Sequence, residues 1–300
     1  MASPAYVSGL VRSGLISPRR RLGQHFLVDS NVLERILDVL TGGATLPRET
    51  TILEIGAGLG VLTAALAGTG AGRVVAIEKD PKLAEFLVQN VAGRPEVEVV
   101  VGDALTLDMR ALCGGDSLVV GNLPYSVSTP LLMAILEPPV FWLRAVVMVQ
   151  LEVARRIAAP PGGKDYGALT LAVNALAEPR VAFRVSPASF YPRPGVDSAV
   201  VTLRRRAVPA GGLDDAGLAR LRAVVRAAFS HRRKTLANAL CSGLGLERGW
   251  VAALLERVGI DPSRRGETLS LEEFVRLQEA LGPRLDPAGA GPRPRPGRGR

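Results

Sequence analysis

An α/β fold is predicted: a doubly wound, mostly parallel sheet with an antiparallel strand at its edge, followed by a small all-α C-terminal domain. Three observations point to it. From residue 51 to residue 158, short apolar runs bounded by turn residues alternate with helix-period segments, the pattern of parallel strands joined by helical crossovers. Two further strand-like runs, 181–185 and 198–203, have too little chain between them for such a crossover, so they pair antiparallel. Beyond the Pro-Ala-Gly-Gly of 209–212, only helical periodicity remains.

The elements follow in order. Residues 1–21 read as a loose basic N-terminal arm, with Arg19, Arg20 and Arg21 consecutive. Val32, Leu33, Ile36, Leu37 and Leu40 recur at helical spacing within 29–40, and Gly42 and Gly43 stop that helix. Strands are expected at 51–55, 73–78, 97–101, 117–120 and 144–150, with helices at 61–66, 81–90 and 152–158. These and the antiparallel pair form a first domain over 22–206. Helices at 214–228, 233–240, 247–258 and 271–281 form a second over 207–282. The Pro/Gly/Arg-rich 283–300 reads as a disordered basic tail.

Composition narrows the function classes. Hydrophobic residues at 47% support a sizeable core without disulfides or metal. Aromatics are only 4%, so an aromatic outside the core calls for a functional explanation. The formal charge of +9 favours a polyanionic partner. Cys113 and Cys241 are far apart and outside any Cys-x-x-Cys spacing, and His25 and His231 are too few for a histidine metal centre. No metal and no disulfide are expected, and a reducing, cytoplasmic setting follows. The first residues lack the apolar core and cleavage site of a signal peptide. Prolines at 124, 130, 138 and 139 interrupt the most apolar stretch, so no membrane partner is expected.

Two motifs carry the chemistry. Gly56, Gly58 and Gly60 form a G-x-G-x-G turn between a strand and a helix. The dinucleotide fingerprint needs a small residue next, and Val61 stands there instead. S-adenosyl-L-methionine has no pyrophosphate and does not need that close approach. Glu78 ends the second strand, where an acid holds ribose hydroxyls in nucleotide-binding folds. Asp103 follows the third strand, placed to accept from an adenine amine, with the backbone at Ala104 completing the edge. Together they describe a cofactor site in a Rossmann-like sheet. The fourth strand runs into Asn122-Leu123-Pro124-Tyr125, similar to the tetrapeptide of amino-group methyltransferases. An adenine N6 lone pair is delocalised and weakly nucleophilic. The Asn122 side-chain oxygen and the Pro124 carbonyl can each accept an N6 hydrogen, favouring a pyramidal nitrogen and stabilising the charge it gains. Tyr125 offers a ring on which an unstacked base can lie. Phe190, in a proline-stiffened loop, could hold the base's other face.

These motifs, with Leu22-Gly23-Gln24-His25-Phe26-Leu27, the run Phe190 to Ser198, and Phe229-Ser230-His231-Arg232-Arg233-Lys234-Thr235-Leu236, resemble the bacterial 16S rRNA adenine N6,N6-dimethyltransferase family over about 22–281. The resemblance implies dimethylation of two adjacent adenosines in a hairpin loop near the 3′ end of 16S rRNA, within an immature 30S subunit. It implies that His25 and Leu27 join Gly56, Gly58, Glu78, Asp103, Ala104 and Asn122 around the cofactor. His25 stands where many relatives carry asparagine.

Arg232, Arg233 and Lys234 are expected in a helical segment near Arg222 and Arg226, where spacing can gather them for RNA phosphates. A monomer is expected because RNA access must stay open. Other readings are a 23S rRNA adenine methyltransferase of the macrolide-resistance type, an RNA-binding ribosome-assembly factor with vestigial catalysis, and a DNA adenine methyltransferase. The Arg-Arg-Lys-Thr-Leu run, the intact acids and the lack of a sequence-reading module weigh against them in turn.

Overall fold

The computed structural model describes residues 3–19, 23–137, 140–231 and 233–285. The chain divides into two compact units, residues 1–158 with 177–205, and residues 159–176 with 206–300. The first domain expected over 22–206 includes 159–176; the contacts of that segment group it with the second unit.

The first unit opens with α1 (Pro4–Arg12), β1 (Phe26–Leu27) and α2 (Ser30–Thr41). It continues through β2 (Thr51–Ile55), α3 (Val61–Leu66), β3 (Arg73–Glu78), α4 (Pro81–Asn90) and β4 (Val97–Val101). Next come α5 (Met109–Cys113), β5 (Ser117–Asn122), α6 (Ser128–Ile135), β6 (Trp142–Gln150) and α7 (Leu151–Ile157). After α8 (Ala168–Leu176) of the second unit, the chain returns as β7 (Ala177–Val185), β8 (Phe190–Tyr191) and β9 (Ser198–Arg205).

The large sheet has seven strands in the order β4-β3-β2-β5-β6-β9-β7. β4, β3, β2, β5 and β6 are parallel; β9 is antiparallel to both β6 and β7. The interior strands are apolar on both faces because helices cover both: Ile52, Leu53, Val74, Val75 and Val119 are all fully buried. Strand order runs one way from β2 to β4, then jumps to the other side of β2 with β5. That reversal opens a crevice at the carboxyl ends of β2 and β5, where open α/β sheets bind ligands.

Local chemistry sets the helix ends. Asp29 accepts from the N–H groups of Asn31 and Val32 to start α2, and Gly42 ends it. Asp80 caps α4 ahead of Pro81. The arm expected to be loose contains a helix. Ser3 caps it, Pro4 occupies its first turn, and Val7 is buried against Phe26, Val28, Leu59 and Val61. Val7, Leu10 and Val11 give that helix the apolar face the expectation overlooked.

β1 and β8 form a separate antiparallel pair, Phe26 opposite Tyr191 and Leu27 opposite Phe190. Alternation sends Phe26 and Tyr191 toward the α1 side and Leu27 and Phe190 into the core with Ile36, Leu40 and Met148.

In the second unit, α8 is joined by α9 (Asp215–Ala228), α10 (Leu236–Leu244), α11 (Arg248–Arg257) and α12 (Leu271–Leu281). Phe229 stacks on Phe274 with centroids 6.1 Å apart and packs tilted against Tyr166 at 6.2 Å. The helix expected from residue 233 begins at Leu236: Thr235 takes the extended N-cap conformation, leaving Arg233 and Lys234 in the preceding turn. The tail beyond residue 285 lies outside the described residues.

Candidate active site

A cavity of about 270 Å³ lies at the reversal in strand order. The turn after β2, the ends of β3 and β5, and the loop after β4 line it, joined by residues 23–27. Each sequence-predicted cofactor residue, His25, Leu27, Gly56, Gly58, Glu78, Asp103, Ala104 and Asn122, borders this cavity, as do Pro124 and Tyr125.

On the β2–β4 side the contacts are charged and short in sequence. The Gly58 N–H donates to Glu78 Oε2 at 2.8 Å and the Asp80 N–H donates to Glu78 Oε1 at 2.8 Å. Gly58 has φ 57°, and a Cβ there would also sit 3.4 Å from the Phe26 ring. Burial pushes the Glu78 carboxyl above its ordinary value, opposed by those two backbone donors. Asp103 pairs with Lys79 at 2.5 Å, which holds its carboxyl below the usual range, and accepts from the Leu105 N–H at 3.1 Å. Both acids stand at the ends of adjacent strands and border the cavity, where open α/β sheets bind ligands.

Glu54, one residue before the carboxyl end of β2, also borders the cavity and is buried. Burial pushes its carboxyl up to about 7; the Thr63 hydroxyl, donating at 2.5 Å, opposes that shift, and the nearby Glu78 carboxylate adds to it. Neither Glu54 nor Lys79 was assigned a role from sequence. The signals present were an acid inside the apolar run Thr-Ile-Leu-Glu-Ile and a lysine directly after the strand-ending Glu78.

On the β5 side, the backbone is packed so closely that a Cβ at Gly121 would meet the Ile55 carbonyl at 2.5 Å. Asn122 follows, and its Nδ2 donates to the His25 carbonyl at 2.8 Å. That bond leaves Oδ1 as an acceptor directed by its partner. The Leu123 N–H donates to the Met148 carbonyl, and the Val127 N–H to the Pro124 carbonyl, both at 3.0 Å, closing a rigid turn. The Pro124 oxygen keeps a second lone pair. The Tyr125 hydroxyl is hydrogen-bonded to buried Ser198. The Tyr125 ring stacks on the His25 ring with centroids 5.1 Å apart. The His25 Nδ1 lies 2.7 Å from the Pro192 carbonyl.

Phe190 is a correction. Its expected place was on the face of a target base; it is 2% exposed and absent from the cavity wall. The β1–β8 pairing explains this, because alternation points Phe190 inward beside Leu27.

Of the expected RNA-contacting residues, Arg222 and Arg226 lie one turn apart on α9, Arg226 exposed and Arg222 half-buried. Arg233 is exposed in the turn before α10, and Lys234 Nζ donates to Ser242 Oγ at 3.5 Å. Arg232 lies outside the described residues. Among the described residues, no group of His, Cys, Asp and Glu could hold a metal ion, and no helix is long and apolar enough to cross a membrane.

A family model described as "Ribosomal RNA adenine dimethylase" matches residues 16–281. The chain is 44% identical to a ribosomal RNA small subunit methyltransferase A of Pelotomaculum thermopropionicum, covering 96% of this chain and 99% of the relative. It is also 44% identical to the protein of that name from Moorella thermoacetica, over 94% and 98%. Among solved structures it resembles the 23S rRNA methyltransferase ErmE at 32% identity, with TM-score 0.64 over 85% of this chain and 99% of that one. A dimethyladenosine transferase from Plasmodium falciparum shares the fold, with TM-score 0.71 at 24% identity over 87% and 98%.

Proposed function

The chain belongs to the ribosomal RNA adenine dimethylase family, and from that premise we propose that it dimethylates N6 of two adjacent adenosines in the 3′-terminal hairpin loop of 16S rRNA during small-subunit maturation. The methyl donor is S-adenosyl-L-methionine, which supplies an electrophilic methyl group when bound. The residues present suit it: two acids at neighbouring strand ends for an adenosine, a glycine turn with no side chain in the way, and no phosphate-binding fingerprint.

The observation that carries the reading is the fixed carboxamide of Asn122. Because Nδ2 is committed to the His25 carbonyl, Oδ1 accepts an N6 hydrogen without any reorientation. The Pro124 carbonyl accepts the second. Together they hold the amine with its lone pair free and stabilise the positive charge that nitrogen acquires. No strong base is required, since an N–H acidifies as the carbon–nitrogen bond forms. Tyr125 receives the unstacked base on its ring. Glu78 and Asp103 hold the donor's nucleoside, with the backbone of His25 and Leu27, and Gly56, Gly58 and Ala104, around it.

The substrate is an immature 30S subunit, approached by a monomer in the cytoplasm. Arg222, Arg226, Arg232, Arg233 and Lys234 bind its phosphates. Charge reversal at Arg226 and Arg233 should weaken RNA binding and lower its salt slope by about one for each phosphate no longer neutralised. An unchanged slope puts the RNA elsewhere. Incubation with immature small subunits and methyl-labelled donor should label 16S rRNA as dimethyladenosine. Label in 23S rRNA alone would select the macrolide-resistance type of activity, which the 32% identity to ErmE makes the natural competitor.

A further inference from the structure

We propose that His25 is a positioning residue for the target base: its imidazole backs one face of the Tyr125 ring, so that the adenine is received on the other. This rests on the methyltransferase assignment above. One residue touches both ends of the catalytic tetrapeptide. The His25 carbonyl orients Asn122, and the His25 ring lies on Tyr125 at 5.1 Å with an interplanar angle of 30°.

The imidazole is itself tied down. A carbonyl can only accept, so the 2.7 Å contact to the Pro192 oxygen requires the proton on Nδ1. β1 and β8 fix the backbone on either side of this contact, with Leu27 opposite Phe190 and the Val28 N–H donating to the Ser189 carbonyl at 2.9 Å. Tyr125 is therefore gripped at its hydroxyl by Ser198 and over one face by a ring that cannot swing away. A tyrosine held at only its hydroxyl keeps torsional freedom about its long axis. Backing one face removes that freedom before the base arrives, so less ordering remains for the encounter. Asparagine at position 25 could keep a polar tie to Pro192 but could not stack. Histidine here makes the platform two rings deep.

Three variants of the full chain separate the possibilities: His25→Ala, His25→Asn and His25→Phe. Each is measured for KM and kcat on immature small subunits, for S-adenosyl-L-methionine affinity by calorimetry, and for quenching of 2-aminopurine placed at the target position of a hairpin RNA. Thermal unfolding of each variant monitors folding. An aromatic pair of this kind corresponds to about two- to tenfold. His25→Ala and His25→Asn should lower kcat/KM for the particle by that factor and weaken the quenching, with cofactor affinity within about twofold of wild type. His25→Phe should recover both, since it restores the stack without the Pro192 hydrogen bond. If His25→Ala is too unstable to assay, the contrast between Phe and Asn decides alone. Recovery by Asn and not by Phe overturns the proposal in favour of the Pro192 tie. A loss of cofactor affinity as large as the loss on RNA places His25 against the cofactor instead. Improved RNA binding by His25→Ala means that the imidazole competes with the base. Equal activity of wild type and all variants removes the His25 role alone, whereas a wild type that labels no 16S rRNA removes the assignment on which it rests.

Discussion

On the β2–β4 side of the cavity, partners stand close in sequence: Gly58 and Glu78 are 20 residues apart, Lys79 and Asp103 are 24. On the β5 side they are distant: His25 meets Asn122 across 97 residues, Tyr125 meets Ser198 across 73, and His25 meets Pro192 across 167. The first half is made of successive strand–turn–helix units, each delivering its residue at a strand end. The second needs residue 25 beside β1, the turn after β5 and the segment from β8 to β9 to meet from across the chain. One half is a property of local chain segments, the other of long-range closure, and they should fail differently.

The largest effect is expected at the closure. Phe190→Ala removes a buried ring beneath the β1–β8 pair and should cost about 3–5 kcal/mol of stability, read by denaturant unfolding. A variant that unfolds normally yet no longer quenches 2-aminopurine in the RNA would return Phe190 to the base, against the burial observed. Next comes the acid inside the cradle. The Glu54 carboxyl is pushed up to about 7 from its ordinary value of 4.5, so the folded chain holds a proton that the unfolded chain releases. The resulting stabilisation is complete below about pH 4.5 and fades as pH rises through about 7, amounting to about 3 kcal/mol across that window. Glu54→Gln should flatten this part of the stability–pH curve; an unchanged slope assigns it to other groups.

Asn122→Ala bridges the two halves. It should lower kcat by about a hundredfold or more while cofactor binding stays measurable by calorimetry. Near-normal turnover would remove Asn122 from the chemistry. The smallest effect is expected at Lys79→Ala. The Lys79–Asp103 pair is partly exposed, so cofactor affinity should fall by no more than about fivefold. A loss approaching that of Asn122→Ala would show Lys79 reaching the cofactor itself.

Much of the cradle could be read from residues alone. The turn glycines 56 and 58, Glu78 at a strand end and Asp103 after the next strand all border one cavity because parallel strands present their carboxyl ends together. Asn122 to Tyr125 followed for the same reason. The inward turn of Phe190 is not legible in the sequence, because a two-residue strand offers no periodicity from which to tell its inward side. Ser3 and Pro4 mark the start of α1, but the consecutive arginines that follow give the segment the composition of a loose arm. Arg233 and Lys234 fell outside a helix because Thr235 takes the cap, a choice of one turn that composition does not resolve.

From its sequence alone this chain is committed to the parallel sheet, the strand-end acids, the glycine turn and the Asn-Leu-Pro-Tyr turn, because short apolar runs, turn residues and their order along the chain mark each of them. Tertiary structure alone decides that the Asn122 amide is oriented by His25, that Tyr125 is held by His25 and Ser198, and that Phe190 turns inward. Those contacts join segments far apart in the chain, and no local periodicity specifies which distant strand will close against which.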